Sequence, residues 1–431
     1  MEREKKLFVF GEDYGTSFVK FGPVWLGEKP DVVENRGYFP RVSRVLERIS
    51  GLPAREVVVG PDVSDYLETR EDLSRLIYPM RHGVVPEKDE KAWKVVKEVT
   101  RYALLKYAPK GPSIKAAVFE GFWCVSAIAA QAPRYMYERI FDIHREINEE
   151  EGGKLVKAVT VIPQPLAVAI AHKAVSCVVV EGGHGNTQIT PISRYVIRGA
   201  LIPLNRGGSD ANRMAAQILR DAGYGDLAVE EHFVRQFKEA IGLVPLNLDK
   251  AIEEAKKNLD KYRAVYRVPG TDIEVDLGKD SWQRFLIGEY IFNPAHELFE
   301  SYYARGFSRP RDTRLPGEVI PGTVDLAEAV TYAVRKCPIE SQPRLYRQVI
   351  LSGGNFAWSV PRGMEGVAVD SATKLRYMLA QRGVQANVKL TDKPQYGVWQ
   401  GAIVYGLYVP AELKWDWNSM EGWVFVGKRS S

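Results

Sequence analysis

Two stretches of this chain, far apart, carry one and the same order of apolar and polar positions. The first runs Phe10-Gly-Glu-Asp13-Tyr-Gly15-Thr16-Ser17 into Phe18-Val-Lys20-Phe-Gly-Pro23. The second runs Val178-Val-Val-Glu181-Gly-Gly183-His184-Gly185 into Asn186-Thr-Gln188-Ile-Thr-Pro191. Asp13 to Glu181, Gly15 to Gly183 and Pro23 to Pro191 are each 168 positions apart. Each copy passes from apolar strand to acid, glycine, small or polar residues, alternating strand and proline, which predicts two related domains that each present a β-hairpin turn. Elsewhere residues 88–107 repeat apolar positions at helical spacing with charges opposite, and residues 134–150 predict a second helix. Lys154–Ile162 predicts a strand leading into a helix from Gln164-Pro165, where proline takes a favoured first position. Asn205-Arg-Gly-Gly208-Ser-Asp210 caps a predicted helix through Leu219, followed by helices at 229–242 and 248–261, a β-rich stretch at 264–277 and a helix over Asp325–Lys336. Val349–Gly354 predicts a strand ending in two glycines, the place for close approach to a ligand.

Glycine lets a backbone approach a ligand closely and take positive φ, and successive N–H groups in a tight turn form an anion-binding concavity. Phosphate binding is the chemistry such a turn offers. An acid beside phosphates repels them, so Asp13 and Glu181 imply a divalent cation, or its waters, in between. Magnesium suits this, because it keeps several waters and binds through few carboxylates plus substrate phosphates. Two glycine-rich hairpins could also arise without function; the matched pair is what favours the phosphate reading.

Composition narrows the class. Hydrophobic residues at 45% and charged residues at 26% are those of an ordinary globular protein long enough for two large domains. A net charge of +5, from 59 basic and 54 acidic side chains spread along the chain, makes no case for nucleic acid or a membrane surface. Cys124, Cys177 and Cys337 lie too far apart to indicate a zinc site or disulfide framework, and the six histidines have no metal spacing. The N-terminus has no apolar signal core and no stretch reaches about 18 apolar residues, so the expected location is the cytoplasm.

With these pieces placed, the chain resembles the actin family, and most closely the actins of crenarchaea, the archaeal crenactins. GEDYGTSFVKFGP and EGGHGNTQITPIS are similar to the family's two phosphate loops. LIYPMRHGVV (76–85) resembles the return from the small outer subdomain, and VIPQPLAVA (161–169) the crossing that carries a water-positioning glutamine. FVRQFKEAIGLV (233–244) resembles the helix bearing base and ribose contacts, ILSGGNFAW (350–358) the adenosine motif, and QYGVWQGAIVYG (395–406) the second connecting helix. The resemblance implies an α/β, actin-like ATPase fold: two ribonuclease-H-like domains around a nucleotide cleft, in four subdomains. Subdomain 1 would comprise 1–34, 79–171 and 397–431; subdomain 2, 35–78; subdomain 3, 172–206 and 296–396, with an insertion at 295–323; subdomain 4, 207–295.

It also implies ATP or ADP with Mg²⁺ as cofactors. Gly15, Thr16, Ser17 and Lys20 would hold the phosphates from one side, with Gly183, His184, Gly185 and Asn186 from the other. Gly208 would join them. Arg235, Lys238 and Glu239 would meet base and ribose, with Gly353, Gly354, Asn355, Trp358 and Gln395 around the adenosine. Asp13 and Glu181 would hold the metal through water. Lys20, Gln164, Glu181 and His184 would carry the chemistry, Gln164 by orienting the attacking water, since its amide both donates and accepts. Three departures stand out: Glu181 and His184 replace the usual aspartates, and Gln395 stands where many actins have lysine.

The implied activity is slow ATP hydrolysis coupled to growth of a helical homopolymer, with filament-binding regulatory proteins as possible partners and no nucleic acid or membrane segment. Residues 41–56 take the place of a loop that inserts into the next subunit. Ile287–Pro294 and the following HELFESYYARGF take the place of the interstrand plug, with Tyr302, Tyr303 and Phe307 as candidate contacts, although any one such aromatic more often packs onto its own domain. The alternatives are a non-polymerising actin-related subunit that binds ATP as a structural ligand, or a sugar kinase or chaperone ATPase. A chaperone needs a peptide-binding region, and fewer than 30 residues follow Val404.

Overall fold

The computed structural model describes residues 7–40, 56–68, 73–111 and 114–426. The chain divides into two compact units, Met1–Lys173 with Tyr396–Ser431, and Ala174–Gln395. The runs that open each unit, Phe8-Val-Phe and Val178-Val-Val, are buried completely or nearly so. That pattern is expected of strands covered on both faces.

In the first unit one sheet orders its strands Val424–Phe425, Val156–Pro163, Phe122–Ile128, Val9–Tyr14, Phe18–Pro23, Asp31–Glu34. In the second, the order is Tyr195–Val196, Thr187–Ser193, Ser176–Gly182, Val349–Ser352, Val388–Leu390, with Ile202–Leu204 also paired to Thr187–Ser193. The plans match. An antiparallel hairpin opens each sheet, and its first strand lies parallel to a later strand that is itself parallel to the next. The hairpin registers match residue for residue: Phe10 faces Pro23 as Val178 faces Pro191, and Asp13 faces Lys20 as Glu181 faces Gln188.

Helices cover these sheets. Glu90–Tyr107 starts where the Asp89 carboxylate accepts from the Ala92 N–H, and it buries Trp93, Val96, Val99 and Leu104. Arg134–Glu150 packs beside it. Gln164–Ala171 and Gly397–Tyr408 pack on each other, and Gly397–Tyr408 also packs on the strand Val9–Tyr14. Between residues 36 and 77, strands Gly37–Tyr38, Val58–Val59 and Leu76–Ile77 form a small sheet over Tyr38 and Val63. The inserting-loop segment expected at 41–56 lies, except for Glu56, outside the described residues.

Two expectations change. The helix expected over 248–261 breaks at Asn258, whose φ of −125° and ψ of 59° end Leu248–Lys257 before a short turn Leu259–Tyr262. The plug reading of Ile287–Phe292 also gives way. These residues lie in the helix Arg284–Phe292, which is buried all round within its own unit. Tyr302 is only 4% exposed, and Tyr303 and Phe307 pack edge-on or tilted against Tyr290. The aromatics of the insertion thus fill their own domain's core and leave its charged side outward.

One polar group is deeply buried under the first hairpin. The Glu12 carboxylate accepts from Ser126 Oγ at 2.6 Å and from His144 Nε2 at 2.9 Å, while His144 Nδ1 lies 2.8 Å from the Ile140 carbonyl. Both imidazole nitrogens face oxygen acceptors, an arrangement that favours the doubly protonated ring. Burial lowers its pKa, but the charge and hydrogen bond of Glu12 outweigh that and leave the pKa raised. Its stabilisation is therefore complete below the unfolded pKa of about 6.5 and disappears as pH rises through the folded value. Thermal melts across pH 6–10 are expected to show this alkaline loss, and Glu12→Gln is expected to abolish it at a cost of about 3–5 kcal/mol.

Candidate functional site

Each hairpin turn is closed by the same backbone bond. The Gly15 N–H donates to Phe18 O at 3.1 Å, and the Gly183 N–H to Asn186 O at 2.9 Å, again 168 positions apart. The two turns differ in what they leave open. The Thr16 and Ser17 N–H groups in the first, and the His184 N–H in the second, donate to no other described residue. Buried or half-buried backbone donors require an acceptor, and adjacent ones make the concavity in which an anion fits.

Around the first turn, Asp13 is almost fully buried. Its two carboxylate oxygens accept from Lys20 Nζ at 2.7 Å and from Gln164 Nε2 at 2.8 Å; Gln164 also donates to Tyr14 O at 3.2 Å. Lys20 reaches Asp13 because the hairpin register sets them opposite. Gln164 reaches it from the end of the strand Val156–Pro163, whose neighbour Phe122–Ile128 lies beside Val9–Tyr14. Asn35 braces the turn by donating to Gly15 O at 2.8 Å, and Thr16 Oγ1 accepts from the Gly83 N–H at 3.0 Å. The structure thus gathers Asp13, Gly15, Thr16, Ser17, Lys20 and Gln164 at one place.

The second turn rests on the start of the helix Gly208–Asp221. The Gly208 N–H donates to Gly183 O at 3.0 Å and the Ser209 N–H to His184 O at 2.8 Å. Gly208, expected among the phosphate contacts, therefore has its N–H engaged in bracing the turn. Glycine is required next to it: a Cβ on Gly207 would lie 2.6 Å from both Gly183 O and His184 O. Glu181 is buried and accepts from Gln188 Nε2 at 3.2 Å. Gln188 was not among the residues singled out from sequence, although its offset of 168 from Lys20 marks it.

His184 is half-buried, and its pKa falls to about 4; burial is the main cause, Lys238 and Arg235 add to it, and Asp210 opposes it. It is a neutral imidazole at pH 7, able to donate and accept but too weak a base to take a proton there. Burial also lowers the pKa of Lys238. The helix Glu231–Ile241 thus brings Arg235 and Lys238 near the second turn, with Glu239 exposed at its outer side.

Beside that turn the strand Val349–Ser352 ends in Gly353, whose φ of +94° and contact with Gly182 O exclude any side chain. Asn355 follows, 6% exposed, and both atoms of its side-chain amide lack a hydrogen-bond partner. Trp358 donates its indole N–H to Asn355 O at 2.7 Å, and Gly242 leaves room for its ring. Gln395 lies next to Gly354. Within each unit the chain's own groups leave polar demands unmet, at the Thr16 and Ser17 N–H groups in the first and at the His184 N–H and the Asn355 amide in the second, so a polar, phosphate-bearing ligand fits each. Among the described residues no three His, Cys, Asp or Glu side chains cluster. Beside Asp13 or beside Glu181, each a lone acid in its own unit, Mg²⁺ would fit only with water and phosphate oxygens completing its shell.

Two units, each built on the same hairpin-led sheet with a glycine turn at the strand ends, define the actin-type α/β fold. A sequence model of the actin family matches residues 54–409. The chain belongs to the actin family. It is also similar to actin-related protein 3 of the yeast Schizosaccharomyces pombe, at 24% identity over 357 residues, covering 76% of this chain and 70% of that protein.

Two outcomes follow from this geometry. Gly353→Ala forces a left-handed backbone position on a residue with a side chain and is expected to cost at least about 1–3 kcal/mol, read by urea denaturation. His184 binds protons less readily folded than unfolded, so stability should fall as pH drops from about 6.5 towards 4; His184→Asn should flatten that part of the melting profile.

Proposed function

We propose that this chain binds ATP with Mg²⁺, each unit supplying one phosphate turn, and hydrolyses it slowly while assembling into helical filaments. The single observation that carries the reading is the pair of turns with identical register and identical closing bonds. Thr16, Ser17 and Lys20 take the phosphates on one side, with His184, Gly185 and Asn186 on the other. Gly183 shapes the second turn. Arg235, Lys238, Glu239, Gly354, Asn355, Trp358 and Gln395 take the nucleoside. Asp13 and Glu181 hold the hydrated cation, which when bound neutralises charge on the phosphates.

Hydrolysis in such a site rests on positioning and electrostatic stabilisation. Lys20 turns from Asp13 to phosphate oxygens, and Gln164, already held by Asp13 and Tyr14 O, presents its amide to the attacking water. His184, being neutral, hydrogen-bonds without adding negative charge on the metal side, so turnover is slow. The four-subdomain division, a cytoplasmic location and kinship closest to the crenactins belong to the same proposal. Among the described residues no helix is long and apolar enough to cross a membrane.

A second reading has support of its own. His184 and Glu181 replace the usual acids, and the similarity to a protein called actin-related favours a subunit that holds ATP without polymerising. Pelleting and electron microscopy of the purified chain with ATP and Mg²⁺, with and without a non-hydrolysable analogue, separate the two. Filaments support the first reading; tightly held nucleotide with no pelleted material at high concentration selects the second. Lys20→Ala is expected to weaken ATP binding about tenfold or more, the worth of one charge-assisted hydrogen bond. Gln164→Ala should slow phosphate release about 10²-fold and leave assembly intact. Release at the parent rate would remove Gln164 from its role.

A further inference from the structure

Arg206 is fully buried and makes no ion pair with any described residue, although the charges of Asp210 and Asp325 act on it from beyond pairing distance. Its Nε donates to Ile291 O at 3.0 Å and its Nη1 to Gly322 O at 2.9 Å, while Nη2 has no hydrogen-bond partner. Among the described residues no carboxylate lies within ion-pair distance of it. Burial pushes its pKa down to about 10, so the cation persists at neutral pH. Holding an unpaired guanidinium in a core costs stability, which a merely structural strap could avoid with an apolar residue.

Its neighbours show what it connects. On one side the Arg206 carbonyl accepts from Thr187 Oγ1 at 2.9 Å, and Gly207, Gly208 and Ser209 clasp the second turn at Gly183 and His184. On the other side Asn205 Nδ2 donates to Asp312 O at 3.0 Å, Thr313 Oγ1 donates to Pro203 O, and the Gly322 N–H donates to Asp312 Oδ1 at 2.9 Å. Residues 203–209 therefore clasp the turn with one end and with the other hold the exposed hairpin of strands Thr313–Leu315 and Glu318–Ile320. That hairpin carries exposed Arg311 and Arg314 at its base and on its first strand, and Val319, 60% exposed, on its second.

We infer that Arg206 is a positioning residue that couples the second turn to this hairpin, so that occupancy of the turn changes the hairpin's order and a partner on the hairpin changes occupancy. Such coupling is reciprocal by necessity, and here it runs through one contiguous set of hydrogen bonds. The inference rests on the ATP reading above.

Hydrogen–deuterium exchange on the full chain, with and without ATP and Mg²⁺, tests it. In the parent chain nucleotide should slow exchange at 183–186 and 205–210, and also at 311–320 by about fivefold or more, the lower end of typical coupling. In Arg206→Met the turn should stay protected while the hairpin ceases to respond, and Arg206→Lys should restore part of the response. A protected turn with an indifferent hairpin in the parent, or a hairpin response surviving Arg206→Met, overturns the coupling and leaves ATP binding standing. No protection anywhere overturns both. If Arg206→Met does not fold, Asn205→Ala loosens the same strap from its exposed end: a weakened hairpin response supports the inference and an unchanged one overturns it.

Discussion

A single backbone hydrogen bond, made twice, sets everything else in this molecule. Gly15 N–H to Phe18 O and Gly183 N–H to Asn186 O each close a hairpin across a tight turn. Closure at that residue and no other keeps the register that puts Lys20 opposite Asp13 and Gln188 opposite Glu181. A slip of one residue would turn these side chains to the other face of the sheet. The acid at each strand end would then have no partner, and a buried unpaired carboxylate is costly. The fold's two sheets can thus be read as scaffolds for two turns.

The departures from the family's usual residues follow the same logic. Glu181 is longer than aspartate, yet Gln188 holds it at a fixed distance from the turn. His184 lies where burial and the cations Lys238 and Arg235 keep it neutral. The second turn is therefore less acidic than its family pattern, while the first keeps Asp13 with both oxygens engaged. On the proposed reading the first unit would supply the chemistry, through Lys20 and Gln164, and the second would supply grip, through the turn that Gly208 and Ser209 brace.

Much of this was legible in the residues themselves. The repeat at 168 positions announced the duplication, because strand, turn and proline punctuation are local signals. The long helices at 90–107 and 134–150 followed from their apolar stripes. What stayed hidden depends on tertiary contact. Gln188 looks like any polar strand residue until its register with Glu181 is known. Asn35 braces Gly15 from 20 positions away, and Arg206 reads as a surface cation until Ile291 and Gly322 are seen to enclose it. The aromatics of the insertion are ambiguous for the opposite reason: composition can mark Tyr303 and Phe307 as sticky but cannot say that Tyr290 of the same chain already packs against them.

The proposed function requires this chain to bind one magnesium-bearing triphosphate. Equilibrium dialysis of the purified chain against labelled ATP, with Mg²⁺ and then with a chelator, measures this most directly. One ATP per chain is expected, held markedly more weakly once the cation is removed. Failure to bind ATP at millimolar concentration, with the chain shown to be folded, would contradict it.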